Sequence, residues 1–397
     1  MVEAAKPRLR IAVLHRNFTQ SGGGAEHYAV AMVEALAAQH EFHVFAQKIE
    51  HRVNGVSYTQ IPLWFEKPRF LNQLIYATCV AWHTRRGFDI VHSHENTWCG
   101  NVQTVHVLPL SHQLFAGKPL WRKALKCLSV ATSPRLLTYW LLEKFRFWPR
   151  ADRYIVAVSE PLRRVMVDSL HCSAERVLTI APGVDVPASP SEPIGKDTHT
   201  KTDSAKTLAR AALGIPADAH VLLWVGNDAQ KKGLSTALAA LAQLPQDYVL
   251  VVAGAANPKA SWQHLLTPEL KRRVVVLGVV KNMAQLYSAC DALVHPTLED
   301  TFGMVVLEAM AHGLPVVVSN DNYCGVAASL TDEHNALILQ NPKNALEMAQ
   351  KIEHLFDANI YASLTNNAKS WAQTQSWEVL SKQQNRLYWE IVTKSHD

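Results

Sequence analysis

Cysteine is scarce in this sequence, and long apolar runs are missing. Six cysteines are scattered over 397 residues without a Cys-x-x-Cys pair. This spacing argues against a structural zinc site and is typical of reduced thiols in a cytosol. No run approaches the ~20 apolar residues of a membrane-spanning helix, and the first residues lack the apolar core and cleavage site of a secretory signal. We therefore expect a cytoplasmic protein without a transmembrane segment.

Charge of one sign is not in large excess either. The net charge of +5 does not by itself indicate nucleic acid binding, although it favours an anionic surface or substrate. The hydrophobic content of 48% and charged content of 18% are typical of a globular protein. At ~100–200 residues per domain, the length allows two domains with full cores.

Apolar strand patterns alternate with helical patterns in two blocks. In the second block the patterns predict a strand over 248–253 and helices over 261–272 and 283–289, and the tail over 371–394 also has a helical pattern. Between the blocks, residues 187–207 are polar, rich in Pro, Ser and Thr, and without periodicity, which is typical of a linker or insertion. We predict an α/β fold with an N-terminal domain over 1–186, the linker over 187–207 and a second domain over 208–370. A C-terminal helix over 371–397 is expected to pack back on the first domain.

The most informative stretch covers residues 291–319. Its pattern predicts a strand over 292–295, a polar loop, a helix over 304–312 and a strand over 316–319. Ligands of open α/β sheets bind beyond the carboxyl ends of strands, and a helix N-terminus there attracts phosphate. Glu299 and Asp300 in the loop, with Glu308 in the helix, would accept hydrogen bonds from hydroxyls. The pattern is typical of a nucleotide-sugar site, and a capped helix with a solvated Glu308 is an equal alternative from this stretch alone.

Two further loops have the composition of phosphate sites. A strand over 10–14 leads through three glycines at 22–24 into a helix, which allows close approach of backbone to a phosphate; a plain tight turn is the alternative. The loop is not Gly-x-Gly-x-x-Gly, and no acidic residue ends the next strand, so a nicotinamide cofactor is not expected. In the second block, Lys231 or Lys232 beside a glycine at a helix start is well placed for a diphosphate, and a surface lysine is the alternative.

Histidines at strand ends suggest a metal site at first sight. His92 and His94 alternate along a strand and His106 ends the next, but no carboxylate set completes a site. We therefore expect no metal and a structural role for the first two.

Residues 115–150 combine basic and aromatic residues on helical patterns. Eight Lys or Arg residues accompany one acidic residue, Glu143, and are interleaved with Trp, Tyr and Phe. This composition suits the headgroup zone of an anionic membrane. A core helix with a solvated basic face and a nucleic acid site are the alternatives, the latter the least favoured.

Taken in order, these pieces resemble the retaining glycosyltransferases of family 4, which have the GT-B fold. The resemblance covers nearly the whole chain. It rests on GGGAE at 22–26, DIVHSH at 89–94, the strand-end His106, AVSE at 157–160, PGVD at 182–185, Lys-Gly at 232–233 and an acidic-x7-Glu segment running into LEAMAHGLPVVVS. The resemblance implies two Rossmann-like domains facing each other across a cleft. The form VGNDAQKKGL is similar to the lipopolysaccharide core glucosyltransferase branch.

The resemblance also implies roles for individual residues. Glu308 matches the glutamate on the ribose hydroxyls, Lys232 matches the lysine on the diphosphate, and His106 matches the histidine near the donor sugar. Asp300 takes the place of the first glutamate, and the neighbouring Glu299 leaves open which carboxylate holds the sugar. The implied catalytic residues are His106, Lys232 and Asp300. The implied donor-binding residues are Gly23, Gly24, Asn227, Lys232, Glu299, Asp300, Phe302, Gly303, Met304, Val305 and Glu308.

This chain departs from the family pattern at two places. Asn227 stands where the partner arginine of the lysine is usual, and Ala328 where a glutamate is often found. Leaving-group charge would then rest on Lys232 and on backbone N–H groups near Gly303–Val305.

The expected reaction is transfer of a hexose, with retention, from a nucleotide sugar to a saccharide or lipid-linked acceptor. UDP-glucose or a related UDP-hexose is the expected donor, and lipopolysaccharide core or another surface polysaccharide the expected product. No metal or other cofactor is expected, and no nucleic acid partner. Residues 115–150 would hold the enzyme peripherally on the inner face of the cytoplasmic membrane. The alternatives are a GT-B nucleotide-sugar 2-epimerase and a non-catalytic nucleotide-sugar-binding protein.

Overall fold

The computed structural model describes residues 7–20, 22–187, 198–254 and 262–394. It consists of two compact units. The first comprises Met1–Gly183 together with Trp377–Asp397, and the second comprises Val184–Ser376. Of the predicted linker over 187–207, residues 188–197 lie outside the described residues.

The first unit is built on a seven-stranded parallel sheet with strand order β5-β3-β1-β6-β7-β8-β9, and β2 and β4 form a separate pair. Its strands are β1 Arg10–Leu14, β2 Asn17–Phe18, β3 Glu41–Ala46, β4 Lys48–Ile49, β5 Ser57–Gln60, β6 Ile90–Ser93, β7 Val102–Val105, β8 Tyr154–Ala157 and β9 Val177–Thr179. Its helices are α1 Gly24–Leu36, α2 Arg69–His83, α3 Leu110–Phe115, α4 Leu120–Thr132, α5 Pro134–Arg146, α6 Glu160–Asp168 and α14 Trp377–Lys394.

The second unit is built on a six-stranded parallel sheet with strand order β12-β11-β10-β13-β14-β15. Its strands are β10 His220–Val225, β11 Tyr248–Ala253, β12 Val274–Gly278, β13 Ala292–His295, β14 Val316–Ser319 and β15 Leu337–Leu339. Its helices are α7 Thr198–Leu213, α8 Leu234–Leu241, α9 Pro268–Arg273, α10 Met283–Ala289, α11 Met304–Ala311, α12 Ala345–Leu355 and α13 Ala358–Gln373.

Three strands of the second sheet, β11, β13 and β14, are apolar for most of their length. Every residue of β11, β13 and β14 is buried, as is usual for parallel sheets. Their polar residues stand at strand ends, where His295 and Ser319 are completely buried. These strand ends position the loops that carry the candidate site.

The C-terminal helix α14 belongs to the first unit. It packs against α1, and the Tyr388 hydroxyl lies 2.6 Å from Nδ1 of His92 on β6. The single helical stretch predicted from residue 371 to 394 is wrong, because α13 ends at Gln373 and α14 begins at Trp377. Backbone N–H groups of Thr374 and Gln375 bond back to Trp371 and Ala372, which closes the first helix.

Two other sequence predictions need correction. Helix α7 begins at Thr198, inside the stretch predicted as linker, although its first turns have the polar composition of a loop. The prediction of a helix over 261–272 is also wrong: residue 261 lies outside the described residues, and the rest forms a short 3₁₀ turn, Gln263–Leu265, followed by α9. The Thr267 side chain accepts a hydrogen bond from the Leu270 N–H and Pro268 occupies the first turn, so the sequence restarts a helix there. No helix within the described ranges is both long and apolar enough to cross a membrane.

Candidate functional site

The loop between β13 and α11 is held in one conformation by its backbone. The Asp300 N–H donates to the Tyr323 carbonyl at 2.7 Å, and the Asp300 carbonyl accepts from the Gly325 N–H at 2.9 Å. The loop therefore lies along the segment after β14, at the carboxyl edge of the sheet. The Asp300 carboxylate therefore lies where ligands of such sheets bind.

Lys232 reaches the same place from the loop between β10 and α8. The Trp224 indole N–H donates to the Lys232 carbonyl at 2.9 Å, and the Lys232 N–H donates to the Asp228 carbonyl at the same distance. Gly233 follows with φ 69°, and a Cβ atom there would overlap the Pro296 carbonyl. The close approach of the two loops therefore requires glycine.

A charged cluster forms where these loops meet. Lys232 Nζ lies 2.6 Å from Asp300 Oδ2, and His295 Nε2 lies 3.1 Å from the same oxygen. The side chains of Asp300 and Lys232 are 17% and 23% exposed, and that of His295 is fully buried. Burial opposes ionisation of Asp300, but hydrogen bonding and charge from His295 and Lys232 outweigh it and hold the pKa of this carboxyl below its ordinary value. The carboxylate is thus ionised at neutral pH and available to accept hydroxyl donors.

Glu299 faces a different lysine. Its Oε1 lies 2.7 Å from Lys231 Nζ, and this pair is considerably more exposed, at 39% and 52%. The sequence left open which of the two carboxylates serves the site. The geometry favours Asp300, because it is the carboxylate that lies against Lys232.

Helix α11 begins directly after this loop. Gly303 adopts φ 100°, and a Cβ atom there would come within 2.8 Å of Cys324 Sγ, so only glycine fits this turn. No side chain caps the first turn. Backbone N–H groups near Met304 and Val305 are therefore not used by an N-cap side chain, as an anion site requires. Phe302 is buried beside it.

Glu308 lies half-buried on α11 and is oriented by Tyr287 of α10. The Tyr287 hydroxyl donates to Glu308 Oε2 at 2.7 Å. Burial, together with the Glu308 carboxylate, raises the pKa of Tyr287 well above its usual value, so the hydroxyl stays protonated.

The two residues that depart from the family pattern are both exposed. Asn227 follows β10, and Ala328 lies in a 3₁₀ turn.

The first unit contains the remaining predicted residues. Gly23 precedes α1 and Gly24 is its first residue. His106 follows β7, half-buried, with Nε2 3.0 Å from His94 Nδ1. Tyr28 of α1 packs edge-on against His106, with ring centroids 5.1 Å apart. Burial, aided by nearby His15 and Arg146, holds the pKa of His106 well below its ordinary value, so the ring is neutral near pH 7.

The other strand-end histidines are hydrogen-bonded within the fold. His92 Nε2 lies 2.6 Å from Thr104 Oγ1, and its Nδ1 is 2.6 Å from the Tyr388 hydroxyl. Both ring nitrogens are thereby used, which leaves His92 no lone pair for a metal. Among the described residues no group of three or more His, Cys, Asp or Glu side chains could hold a metal ion.

Residues 115–150 include the last residue of α3 and all of α4 and α5. Helix α4 buries only Val130, whereas its leucines and Trp121 are exposed. A core helix with a solvated basic face does not fit this arrangement. The large apolar side chains exposed on α4, on α5 and just beyond it are Leu120, Trp121, Leu125, Leu128, Leu137, Leu141, Phe145 and Trp148.

Two contacts of the candidate site were not predicted from the sequence. His295 was included only as the end of an apolar strand and Tyr287 only as part of a helix, yet they orient Asp300 and Glu308. A polar residue ending an otherwise apolar strand was the available signal for His295. Nothing in the spacing of Tyr287 indicates its partner.

Family models match both units. Residues 22–187 match the model described as "Glycosyltransferase Family 4", and residues 219–358 match "Glycosyl transferases group 1". A D-inositol 3-phosphate glycosyltransferase of Corynebacterium efficiens is 26% identical over 81% of this chain and 76% of its own length. The lipopolysaccharide glucosyltransferase WaaG of Escherichia coli is 26% identical over 51% of this chain and 52% of its own length. The alignments thus span about half to three quarters of these relatives.

Solved structures align with nearly the whole chain. The crystal structure of WaaG, a glycosyltransferase involved in lipopolysaccharide biosynthesis, covers 95% of this chain and 99% of its own, with 20% identity and a TM-score of 0.78. The Anabaena protein HepE, in complex with UDP-glucose, covers 98% of this chain and 100% of its own, with 19% identity and a TM-score of 0.70. These likenesses confirm the predicted fold class, an α/β GT-B fold with two Rossmann-like domains.

Proposed function

The chain belongs to glycosyltransferase family 4, and from this premise we propose that it transfers a hexose from a nucleotide sugar with retention of configuration. The donor we propose is UDP-glucose or a related UDP-hexose. The acceptor is a saccharide or a lipid-linked saccharide, and the product is lipopolysaccharide core or another surface polysaccharide.

One observation carries this proposal: the Lys232–Asp300–His295 cluster stands beside the open N-terminus of α11. A lysine and a helix N-terminus suit a diphosphate. Asp300, kept ionised by its two neighbours, suits the hydroxyls of a hexose. Glu308, oriented by Tyr287, suits the two hydroxyls of a ribose.

In the proposed reaction, Lys232 supports the leaving group. Its ammonium has three N–H donors, of which one is directed to Asp300 and one to the Glu299 carbonyl at 3.3 Å, so the third can be directed to the diphosphate. The negative charge that develops on the leaving nucleotide is then stabilised by donors already in place, which is where most of such rate enhancement arises. Because Asn227 replaces the usual arginine, Lys232 and the backbone N–H groups of α11 share this charge.

Retention is proposed to follow from attack on the same face that the leaving group occupies. The transition state is oxocarbenium-like, and the leaving phosphate helps to take the acceptor proton. The family resemblance assigns His106, whose lowered pKa keeps its ring neutral at pH 7, to the donor sugar. The mechanism assigns no role to a metal ion, so we expect activity to survive chelation.

The nature of the relatives supports the choice of donor and product. WaaG is by its name a lipopolysaccharide glucosyltransferase, and the Anabaena protein was crystallised with UDP-glucose. The form VGNDAQKKGL at residues 225–234 was associated with the lipopolysaccharide core branch from the sequence alone.

We also propose peripheral binding to the inner face of the cytoplasmic membrane. The exposed apolar side chains of α4 and α5 stand among the cations Arg122, Lys123, Lys126 and Lys144. Exposed apolar side chains accompanied by basic residues suit an anionic lipid surface better than solvent. Sedimentation with vesicles containing anionic lipid, compared with zwitterionic vesicles, tests this part separately. No salt-sensitive binding to the anionic vesicles would refute it.

A donor screen tests the reaction. UDP-glucose, UDP-galactose, UDP-GlcNAc, GDP-mannose and ADP-glucose are compared by thermal shift and by slow nucleotide release, with and without EDTA. We expect one UDP-hexose to stabilise the protein and to be hydrolysed slowly despite EDTA. A new sugar nucleotide formed without release would instead identify an epimerase, and binding without any turnover a non-catalytic protein.

A further inference from the structure

His94 is a buried histidine that the proposed mechanism does not use. It directly follows β6, as His106 directly follows β7, and these two strands are neighbours in the sheet. The residue is 7% exposed, and its backbone N–H donates to the Leu14 carbonyl at 3.0 Å. Its Nδ1 atom lies 3.0 Å from His106 Nε2, and the planes of the two rings differ by 16°. His94 is therefore held against the histidine that the family resemblance assigns to the donor sugar.

The rings of His94 and His106 are both neutral near pH 7. Burial, aided by His92, His106, His15 and Arg146, holds the pKa of His94 well below its ordinary value. Burial likewise lowers the pKa of His106. A neutral imidazole has one N–H donor and one acceptor nitrogen. The hydrogen bond between the two rings therefore contains one proton, on either His94 Nδ1 or His106 Nε2.

The second nitrogen of His94, Nε2, distinguishes these two arrangements. If His106 donated the hydrogen bond, the proton of the neutral His94 ring would have to be on Nε2. That atom is buried, and no residue that the structure describes is hydrogen-bonded to it. A buried N–H without an acceptor costs more free energy than an unused lone pair. The proton of His94 is therefore on Nδ1, and His94 is the donor.

A donor at His94 Nδ1 also determines the protonation of His106. Because His106 Nε2 must accept this hydrogen bond, the neutral His106 ring has its proton on Nδ1. A neutral histidine side chain in water favours the other form, with the proton on Nε2, so the contact reverses the ordinary preference. Tyr28 packs edge-on against His106, with ring centroids 5.1 Å apart, which opposes rotation of the ring.

We propose that His94 is a positioning residue that holds His106 as the Nδ1–H tautomer, so that His106 presents an N–H donor to a hydroxyl oxygen of the donor sugar. The contact with the sugar rests on the proposed function, whereas the tautomer of His106 does not. This role adds to the structural role that the sequence predicted for His94.

Nitrogen-15 NMR of the full chain with labelled histidine measures this tautomer directly. Protonated and unprotonated ring nitrogens have well-separated chemical shifts, and their correlations with the ring protons distinguish Nδ1 from Nε2. The signals of His106 are those that the His106→Gln variant lacks. At neutral pH we expect Nδ1 of His106 to be protonated and Nε2 to be unprotonated. The opposite pattern, or a mixture of both tautomers, in the unmodified protein would overturn the proposal.

Variants of His94 test its effect on the reaction. His94→Leu has no donor, so His106 should populate its Nε2–H form, and kcat/KM for acceptor-free nucleotide release should fall about five- to tenfold, as for the loss of one neutral hydrogen bond. His94→Asn keeps an N–H near the position of Nδ1 and should restore the tautomer and most of the release. Unchanged release in His94→Leu, despite a changed tautomer of His106, would overturn the effect on the reaction.

His92→Gln is the matched control for loss of a buried histidine. His92 stacks on His94 with ring centroids 4.4 Å apart. Its ring nitrogens, however, lie 2.6 Å from the hydroxyls of Tyr388 and Thr104 and not against His106. We therefore expect His106 to remain the Nδ1–H tautomer in this variant. A change of tautomer in His92→Gln equal to that in His94→Leu would contradict the specific role of His94.

The proposal and the proposed reaction fail independently. A protein with His106 as the Nδ1–H tautomer that releases no nucleotide from any donor would contradict the reaction alone. A protein that hydrolyses a UDP-hexose with His106 as the Nε2–H tautomer would contradict the role of His94 alone. The spectrum of the unmodified protein decides the tautomer even if a variant does not fold.

Discussion

Replacing Lys232 by alanine removes an ammonium that lies 2.6 Å from Asp300, and we expect the variant to lose turnover far more than stability. Removing one preorganised donor to a developing charge typically costs about 10²–10³ in kcat, or about 2.7–4 kcal/mol. Because Asn227 stands where a second cation is usual in the family, no neighbouring side chain takes over the charge of Lys232. The loss in kcat should therefore lie toward the upper end of this range.

The stability cost should be smaller, because Asp300 keeps a partner. His295 Nε2 remains 3.1 Å from its carboxylate, and the Asp300 side chain is 17% exposed. The cost should therefore lie between the ~0.2–1 kcal/mol of an exposed pair and the ~3–5 kcal/mol of a broken buried pair. We expect about 1–3 kcal/mol, measured by urea denaturation.

Lys231→Ala provides a matched control in the adjacent residue. Lys231 pairs with Glu299 at 2.7 Å, nearly the same distance, but is 52% exposed and does not contact Asp300. Nucleotide release at saturating donor should stay within about threefold of the unmodified protein, as expected for an exposed pair. The reasoning is refuted if both lysine variants lose turnover equally, or if Lys232→Ala keeps more than about a tenth of it.

Three further predictions concern single contacts. Gly233→Ala should lower the free energy of unfolding by about 1–3 kcal/mol, because Gly233 has φ 69° and a Cβ atom there would overlap the Pro296 carbonyl. Gly214 has a similar φ of 66°, but no atom lies near the position of its Cβ. Gly214→Ala should therefore lower the free energy of unfolding less in the same denaturation assay. Tyr287→Phe should weaken donor binding about tenfold in calorimetry by releasing Glu308. Burial lowers the pKa of His92 to about 3. Below pH 6.5 His92 is therefore protonated in the unfolded state and not in the folded state. This difference should lower the free energy of unfolding by about 1.4 kcal/mol for each pH unit that the pH falls. His92→Gln should make the free energy of unfolding less dependent on pH, as measured by urea denaturation at pH 6.5 and 5.0.

The parts of the fold that sequence patterns predicted are those with buried faces. The strands at 248–253, 292–295 and 316–319 and the helix at 283–289 occur at the predicted bounds, because a strand buried on both faces is an apolar run that ends where polar residues begin. The predictions that failed concern a stretch that is polar throughout and a stretch whose helical pattern has no visible interruption. Residues 198–207 look like a linker but continue into α7, and the stretch 371–394 gives no signal of its turn at Thr374.

The sequence predicted which loop residues belong to the candidate site, but it did not predict which side chains contact them. Asp300, Lys232 and Glu308 stand out by type and place, because charged residues beside apolar strands and helices are conspicuous. Their partners are set by tertiary packing: His295 meets Asp300 within a loop whose path depends on Tyr323 and Gly325, which lie far along the chain. Sequence spacing also left Glu299 and Asp300 equivalent. Only the different lysines that they contact distinguish them.

Proton NMR of UDP-glucose mixed with the protein, without acceptor and in the presence of EDTA, tests the proposed retaining transfer most directly. We predict slow loss of the donor signal with appearance of UDP and of glucose whose first anomer is α, the configuration of the donor. Glucose that appears first as the β anomer would contradict retention. A new sugar-nucleotide signal without free UDP would contradict the transferase itself.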